Sequence, residues 1–358
     1  MSWPRRIGLI AFLILVAGIV WLGVMLGLPY GNFPREGIYV EIPEGATVRA
    51  IARTLEEKGV VRSAVAFEAL CRLRRARPQA GEYRFEHPAS GFAVLHKLVA
   101  GEVAYHTVLV PEGSTMFQVA DRVAQAALVT REEFLQAAND PALIRDLAPA
   151  AINLEGFLFP AQYEFPRSVT AQEIVATMVR RFRQVWDSVA GQPGGNPHRL
   201  STLELVTLAS LVERETAVAD ERGLIASVFY NRLRKRYPLQ CDPTVIYALE
   251  RAGRYRGALL LRDLRYDSPY NTYRYRGLPP GPIANPGEAA LRAALYPPET
   301  EYFYFVANGQ GGHFFSKTLR EHNANVARYR QRLAELPPVE QESVGAPLDS
   351  KPPAEKNR

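Results

Sequence analysis

The hydrophobic pattern opens with one unbroken block. Ile7 to Leu28 carries no charge, and as a helix it would run roughly 33 Å, enough to cross a bilayer. After a Pro/Gly linker at residues 29–38, short alternating runs that predict strands are interleaved with runs of period three to four that predict helices, the pattern of an α+β chain. Two of these stretches are copies: VEIPEGATVRAIARTLEEKGVV, Val40 to Val61, and VLVPEGSTMFQVADRVAQAALV, Val108 to Val129, align without a gap. Each predicts a strand, a Pro-Glu-Gly turn, a helix capped by Thr47 or Thr115, and a second short helix near Phe67 or Phe134. Two copies are too few for a solenoid and read as two related α/β units.

The first unit, residues 39–107, closes with the strand AGEYRF (Ala80 to Phe85) and a helix from Gly91 to Ala100. This small strand-helix-helix unit resembles the LysM-like glycan-binding fold; a spacer would carry the same pattern. The second, residues 108–165, ends in LEGFLFPAQYEF (Leu154 to Phe165), aromatic and extended, with Glu155 set inside its apolar run. That acid is either a partner behind a site or a capped strand end.

Residues 166–336 predict a mostly helical core. A helix from Ala171 to Val189 leads to a Gly/Pro/Asn loop, Gly191 to His198, with the composition of a tolerated insertion. Ser201 and Glu204 then form a capping box, and Leu203, Val206, Leu208, Ala209, Leu211 and Val212 make the following helix apolar nearly all round. Asp220 is placed to cap the next helix, which ends before Pro238, and Asp242 to cap another with Pro243 at its first position. Tyr266 to Pro286 is a long loop of Tyr, Asn, Pro and Gly, suited to stacking on and hydrogen-bonding a sugar; a structural crossover is the competing reading. A short helix to Leu295, a hairpin from Glu301 to Thr318 turning at Asn308 to Gly312, and a helix from Leu319 to Leu336 follow. The Pro- and charge-rich tail, 337–358, is expected to be disordered.

Composition refines this picture in three places. At 358 residues and 47% hydrophobic content the chain can pack two domains. Arg5 and Arg6 precede the apolar block, so the positive-inside rule keeps residues 1–6 in the cytoplasm and sends the rest across the inner membrane after a helix at 7–28. A cleaved signal peptide is the alternative, but its apolar region usually runs only about 7 to 15 residues. A net charge of +6, with arginine clusters around Arg72 and Arg234, suits an acidic wall polymer or lipid headgroups, and this topology excludes nucleic acid. Cys71 and Cys241 fall in different domains and are read as small apolar residues rather than a disulfide.

The candidate chemistry is carboxylate chemistry. There is no G-x-S-x-G elbow, no S-x-x-K pair, no H-E-x-x-H and no Cys/His cluster, so neither metal nor nucleophilic-serine chemistry is expected. What stands out is Glu213, an acid ending a buried helix on a face of small residues, where burial and the helix C-terminus both raise a carboxyl pKa. A structural ion pair with Arg214, Arg222 or Arg232 would occupy the same position. Glu215 points about 200° away around the helix, a poor second carboxylate, so a mechanism with one acid fits better.

Five segments in order carry a resemblance: LEGFLFP (154–160), LASLVERETAVADER (208–222), LQCDPTVIYAL (239–249), YNTYRYRGLPPGPIANPG (270–287) and YFVANGQGGHFFSKT (304–318). They resemble the endolytic murein transglycosylase, or YceG-like, family, from about Val40 to the final helix. The resemblance implies cleavage of the bond from N-acetylmuramic acid to N-acetylglucosamine within nascent strands, leaving 1,6-anhydro ends without cofactor. It implies Glu213 as acid and then base, with Gln240, Asp242, Tyr270, Asn271 and Tyr273 lining the glycan cleft and Glu215 and Glu155 behind it. Peptidoglycan synthases are the implied protein partners. A hydrolytic muramidase and a non-catalytic wall-binding scaffold are the alternatives. Ala161-Gln162 departs from the family's Asp-Thr, so Gln162 takes no role by analogy.

Overall fold

In a computed structural model that describes residues 3–192 and 194–335, the chain is a mixture of twelve α-helices and short two-stranded sheets. The described residues separate into two compact units: residues 3–107 with 126–128 and 164–169, and residues 108–125, 129–163, 170–192 and 194–335. The tail at 337–358 lies outside the described residues.

The first unit starts with α1 (Trp3–Gly27), whose stretch Leu9–Gly27 is long and apolar enough to cross a membrane and keeps most of its side chains exposed. It continues with β1 (Ile38–Ile42), α2 (Val48–Glu57), α3 (Ala64–Leu73), β2 (Gly81–Phe85) and α4 (Gly91–Ala100). β1 and β2 pair antiparallel, Val40 opposite Tyr83, and their inward residues meet Leu55, Phe67 and Leu98 in one core. Thr47 and Ser63 cap α2 and α3 by accepting backbone N–H bonds three residues on. Cys71 is buried here as a free thiol, and burial pushes it up to about 11.

β3 (Tyr105–Leu109) leads to α5 (Met116–Gln125), α6 (Arg131–Ala138), β4 (Gln162–Pro166) and α7 (Ala171–Ala190). Thr115 and Gln118 exchange side-chain and backbone bonds at the start of α5, and Thr130 heads a capping box on α6, so the second copy repeats the capping of the first. Then come α8 (Thr202–Glu215), α9 (Arg222–Arg234), α10 (Asp242–Arg251) and α11 (Glu288–Leu295), followed by the hairpin β5 (Tyr304–Ala307) and β6 (His313–Ser316) and by α12 (Leu319–Glu335). α8 is the centre of this unit. It packs against α9, α10 and α11, and every residue from Leu205 to Val212 is buried.

Four local expectations are corrected. Leu154 to Pro160 is a chain of turns, with strand geometry only from Gln162, because Gly156 takes a left-handed φ of +86° that no strand accommodates. Asp220 makes no capping bond; α9 is entered through a 3-10 turn, Ala219–Glu221, that already supplies the helical direction. Asp242 is the first residue of α10 rather than its cap, its carboxylate being engaged by Tyr273 instead. The long loop is a crowded strap rather than a fringe of exposed rings: Tyr270 is 5% and Asn271 0% exposed, and of its four tyrosines only Tyr275, at 46%, stands well out.

Gly156 fixes how closely that strap approaches α8. A Cβ there would come within 2.5 Å of the Pro282 ring and 2.9 Å of Val206 Cγ1. Gly156→Ala should therefore cost about 2 to 4 kcal/mol, from the positive φ together with a rigid-ring clash, read as a lower denaturant midpoint in equilibrium unfolding.

Candidate active site

Glu213 sits in the last turn of α8, and three segments converge on it. The end of the strap, Ile283 to Gly287, is laid along the helix by Ser210, whose hydroxyl accepts the Ile283 N–H at 3.0 Å while donating to the Thr207 carbonyl at 2.7 Å. This brings the Gly287 N–H, at the N-cap of α11, to 2.9 Å from Glu213 Oε2. From α9, Arg222 Nη2 stands 3.7 Å from Glu213 Oε1, with side-chain exposures of 12% and 6%. The Pro111-Glu112-Gly113 turn of the second copy closes the third side, a Cβ at Gly113 falling 3.6 Å from Glu213 Cγ.

The ion pair with arginine is thus present, but it is too long for a charge-assisted hydrogen bond. Burial wins: desolvation holds the Glu213 carboxyl above the ordinary glutamate range, with the Glu112 charge adding to it, against the Gly287 N–H and Arg222, which favour the anion. Arg222 Nε is itself buried without a hydrogen-bond partner. An acid biased toward its protonated form by burial, with a guanidinium just out of contact, can donate its proton and then be steadied as a carboxylate.

Behind this lies a fully buried frame. Glu155, 1% exposed, accepts the Met116 N–H with both oxygens, at 2.9 and 3.1 Å, and the Asn285 side-chain amide at 3.2 Å. Asn285 donates twice to the Ser114 carbonyl, through its backbone and its amide, and its Oδ1 accepts the Leu158 N–H. Desolvation pushes Glu155 up to about 8.

On the other side of α8 a second group forms around Glu215, which burial raises to about 7 with the Asp242 charge adding to it. Asp242 Oδ1 accepts a 2.5 Å bond from the Tyr273 hydroxyl, and desolvation raises the Asp242 carboxyl despite that bond. Gln240 precedes this pair in a left-handed conformation, φ +49°, costing roughly 1 kcal/mol for a residue with a Cβ. Cys241 is a free buried thiol.

The predicted site residues thus fall into separate places. Glu213 stands with Gly287 and Arg222; Glu155 lies beneath, joined to the strap through Asn285; Glu215 joins Gln240, Asp242 and Tyr273 on the opposite face, as the helical period required. Tyr270 and Asn271 are spent on the fold, Asn271 donating to the Leu264 and Tyr266 carbonyls at 2.9 and 2.7 Å and Tyr270 accepting from Arg251 at 3.2 Å. Asn285, Gly287 and Glu112 escaped the sequence reading. The Asn-Pro-Gly ahead of a helix and the repeated Pro-Glu-Gly turn were the available signals. Among the described residues no group of three or more His, Cys, Asp or Glu is arranged to hold a metal.

A family model described as the YceG-like family matches residues 40–328. An endolytic murein transglycosylase of Bacillus subtilis is 35% identical over 88% of this chain and 91% of its own length. One from Streptococcus pneumoniae is 31% identical over 84% of this chain and 60% of its own length. A solved structure of a yceG-like protein from Listeria monocytogenes, 36% identical, covers 81% of this chain and 99% of its own with a TM-score of 0.55.

The frame makes stability depend on pH. Because the Glu155 carboxyl rises on folding from 4.5 to about 8, its contribution is full below pH 4.5 and is lost as pH climbs through about 8. Wild type should therefore lose stability relative to Glu155→Gln between those limits, seen as a wild-type-minus-variant difference in melting temperature that falls from pH 5 to pH 8.

Proposed function

The chain belongs to the YceG-like family, and from that premise we propose that it is an endolytic peptidoglycan transglycosylase in which Glu213 alone carries the acid and base steps. The observation that carries the reading is a buried carboxyl, raised by desolvation, with one backbone N–H at 2.9 Å and one guanidinium held off at 3.7 Å.

Each proton is accounted for. Protonated Glu213 gives its proton to the glycosidic oxygen of the departing N-acetylglucosamine as the C1–O bond of N-acetylmuramic acid breaks. The resulting carboxylate, steadied by Arg222 and the Gly287 N–H, takes the proton of the muramyl C6 hydroxyl as its oxygen closes on C1. The products are a free 4-hydroxyl and a 1,6-anhydro end, no water is consumed, and Glu213 is an acid again. A hydrolase would need a second carboxylate to activate water; Glu215, engaged with Cys241 and Asp242 around the helix, is badly placed for that.

Gln240, Asp242 and Tyr273 are the residues we expect to meet the glycan, with Tyr270 and Asn271 shaping the strap beside them. The helix Leu9–Gly27 serves as an inner-membrane anchor with the rest of the chain outside the cytoplasm. Residues 39–107 act as a LysM-like unit on the strand, and 108–336 as the catalytic domain. The substrate on this reading is the nascent strand near the membrane, which makes a peptidoglycan synthase the fitting partner, and the outcome is shorter strands.

The test is Glu213→Gln on purified sacculi with mass spectrometry of the released ends. Loss of at least about 100-fold in 1,6-anhydro ends is expected from removing an acid–base group. Undiminished cleavage by the variant, or wild-type products with reducing muramic ends in place of anhydro ends, would sink the assignment.

A further inference from the structure

The Pro-Glu-Gly turn occurs twice, in two different settings. In the first unit it is a bare turn: a Cβ on Gly45 would meet nothing within 4 Å. In the second copy the turn is clamped. The Gly113 N–H donates to the Asn285 carbonyl at 2.9 Å, and the Gly113 carbonyl accepts from Arg214 Nη1 at 3.2 Å. The residue between Pro111 and Gly113 is thereby aimed, and its side chain lies across Gly287, where any Cβ would collide with the Glu112 carboxyl. That glycine is the same one whose N–H binds Glu213. Its backbone, φ −77° and ψ 174°, suits any residue, so what keeps a side chain out is the Glu112 carboxyl and not the turn.

We propose that Glu112 is a positioning residue of this reaction: its carboxylate, held across Gly287, is the negative charge against which Glu213 gives up and recovers its proton. The inference rests on Glu213 being the acid and base. Placing an anion beside an acid lowers the acid's tendency to ionise and strengthens the conjugate base that remains. Here both effects serve, since Glu213 must arrive protonated and must then strip a weakly acidic C6 hydroxyl. Other charged groups on the elements around Glu213 do not duplicate the role. Arg222 from α9 opposes it, Arg214 on α8 is spent on the Gly113 carbonyl, and Glu288 on α11 pairs with Arg292 at 3.0 Å. The like-charge contribution of Glu112 to Glu213 agrees with the geometry.

Two variants of the full-length chain, assayed on purified sacculi from pH 5 to 9 by counting anhydro-muramyl ends, test this. Glu112→Gln removes the charge but keeps the shape; Gly287→Ala keeps every charge but pushes the Glu112 carboxyl aside. Both should move the alkaline limb of the rate profile to lower pH by about 0.5 to 1 unit. On the descending limb the rate, relative to its plateau, would then fall roughly 3- to 10-fold at a given pH. A merely structural Glu112 would lower the whole profile without moving the limb, and that result, or a Glu112→Gln profile superimposed on wild type, overturns the proposal. Should Gly287→Ala fail to fold, Glu112→Gln decides alone. Glu213→Gln, run alongside, keeps the two ideas apart: cleavage surviving in that variant removes the acid itself, whereas its loss together with an unmoved limb in Glu112→Gln removes only the role of Glu112.

Discussion

The arrangement around Glu213 depends on one buried amide. Asn285 is 0% exposed and its side chain is satisfied by three groups from two segments distant in sequence: the Ser114 carbonyl, and the Leu158 N–H and a Glu155 oxygen of the turn at 154–160. Its own carbonyl accepts the Gly113 N–H. A buried amide left short of a partner costs about 1 to 3 kcal/mol, so these segments cannot separate without penalty. Because Gly287 follows two residues later across Pro286, whose φ is fixed, the position of the N–H on Glu213 is inherited from Asn285. The acid is thus placed by a network it does not touch.

Glu213, Glu155 and Glu215 are all raised by burial, yet their surroundings divide them by purpose. Glu155 has both oxygens occupied by backbone and amide donors at 2.9 to 3.2 Å and is 1% exposed. It can hold a frame and cannot trade a proton with a ligand. Glu215 is committed to the α10 entry, where Cys241 and Asp242 lie. Glu213 alone keeps one oxygen with only a long guanidinium contact. Neighbours that leave a lone pair free distinguish a reactive acid from a structural one better than the size of a pKa shift does.

The sequence was most legible where local chemistry decides structure. The capping box at Ser201, the Thr47 and Thr115 caps, the hairpin from Tyr304 to Ser316 and the all-round burial of α8 follow from spacing alone. Glu213 was legible for the same reason, as an acid at the end of an apolar helix. What was hidden came from contacts across long stretches of chain. No local rule says that Asn285 reaches Ser114 or that Glu155 reaches Met116, and Asp242 looked like a cap because its partner, Tyr273, arrives from the strap. The exposed rings expected of the strap were the clearest miss: a Pro/Gly-rich composition fixes a backbone path but not which side of it faces solvent.

On the proposed mechanism, the duplication supplies part of what a single carboxyl needs. A single group that must be acid and then base needs a proton affinity high enough for the second step and a protonated population large enough for the first. Burial at a helix end supplies part of this, but burial alone also resists forming the carboxylate between the steps. Arg222 at 3.7 Å eases that intermediate without drawing the proton off beforehand, as a contact at 2.8 Å would. The second copy of the α/β unit contributes the turn that closes the remaining side, so that what began as a repeated strand-turn-helix has, in one of its two copies, become a wall of the site.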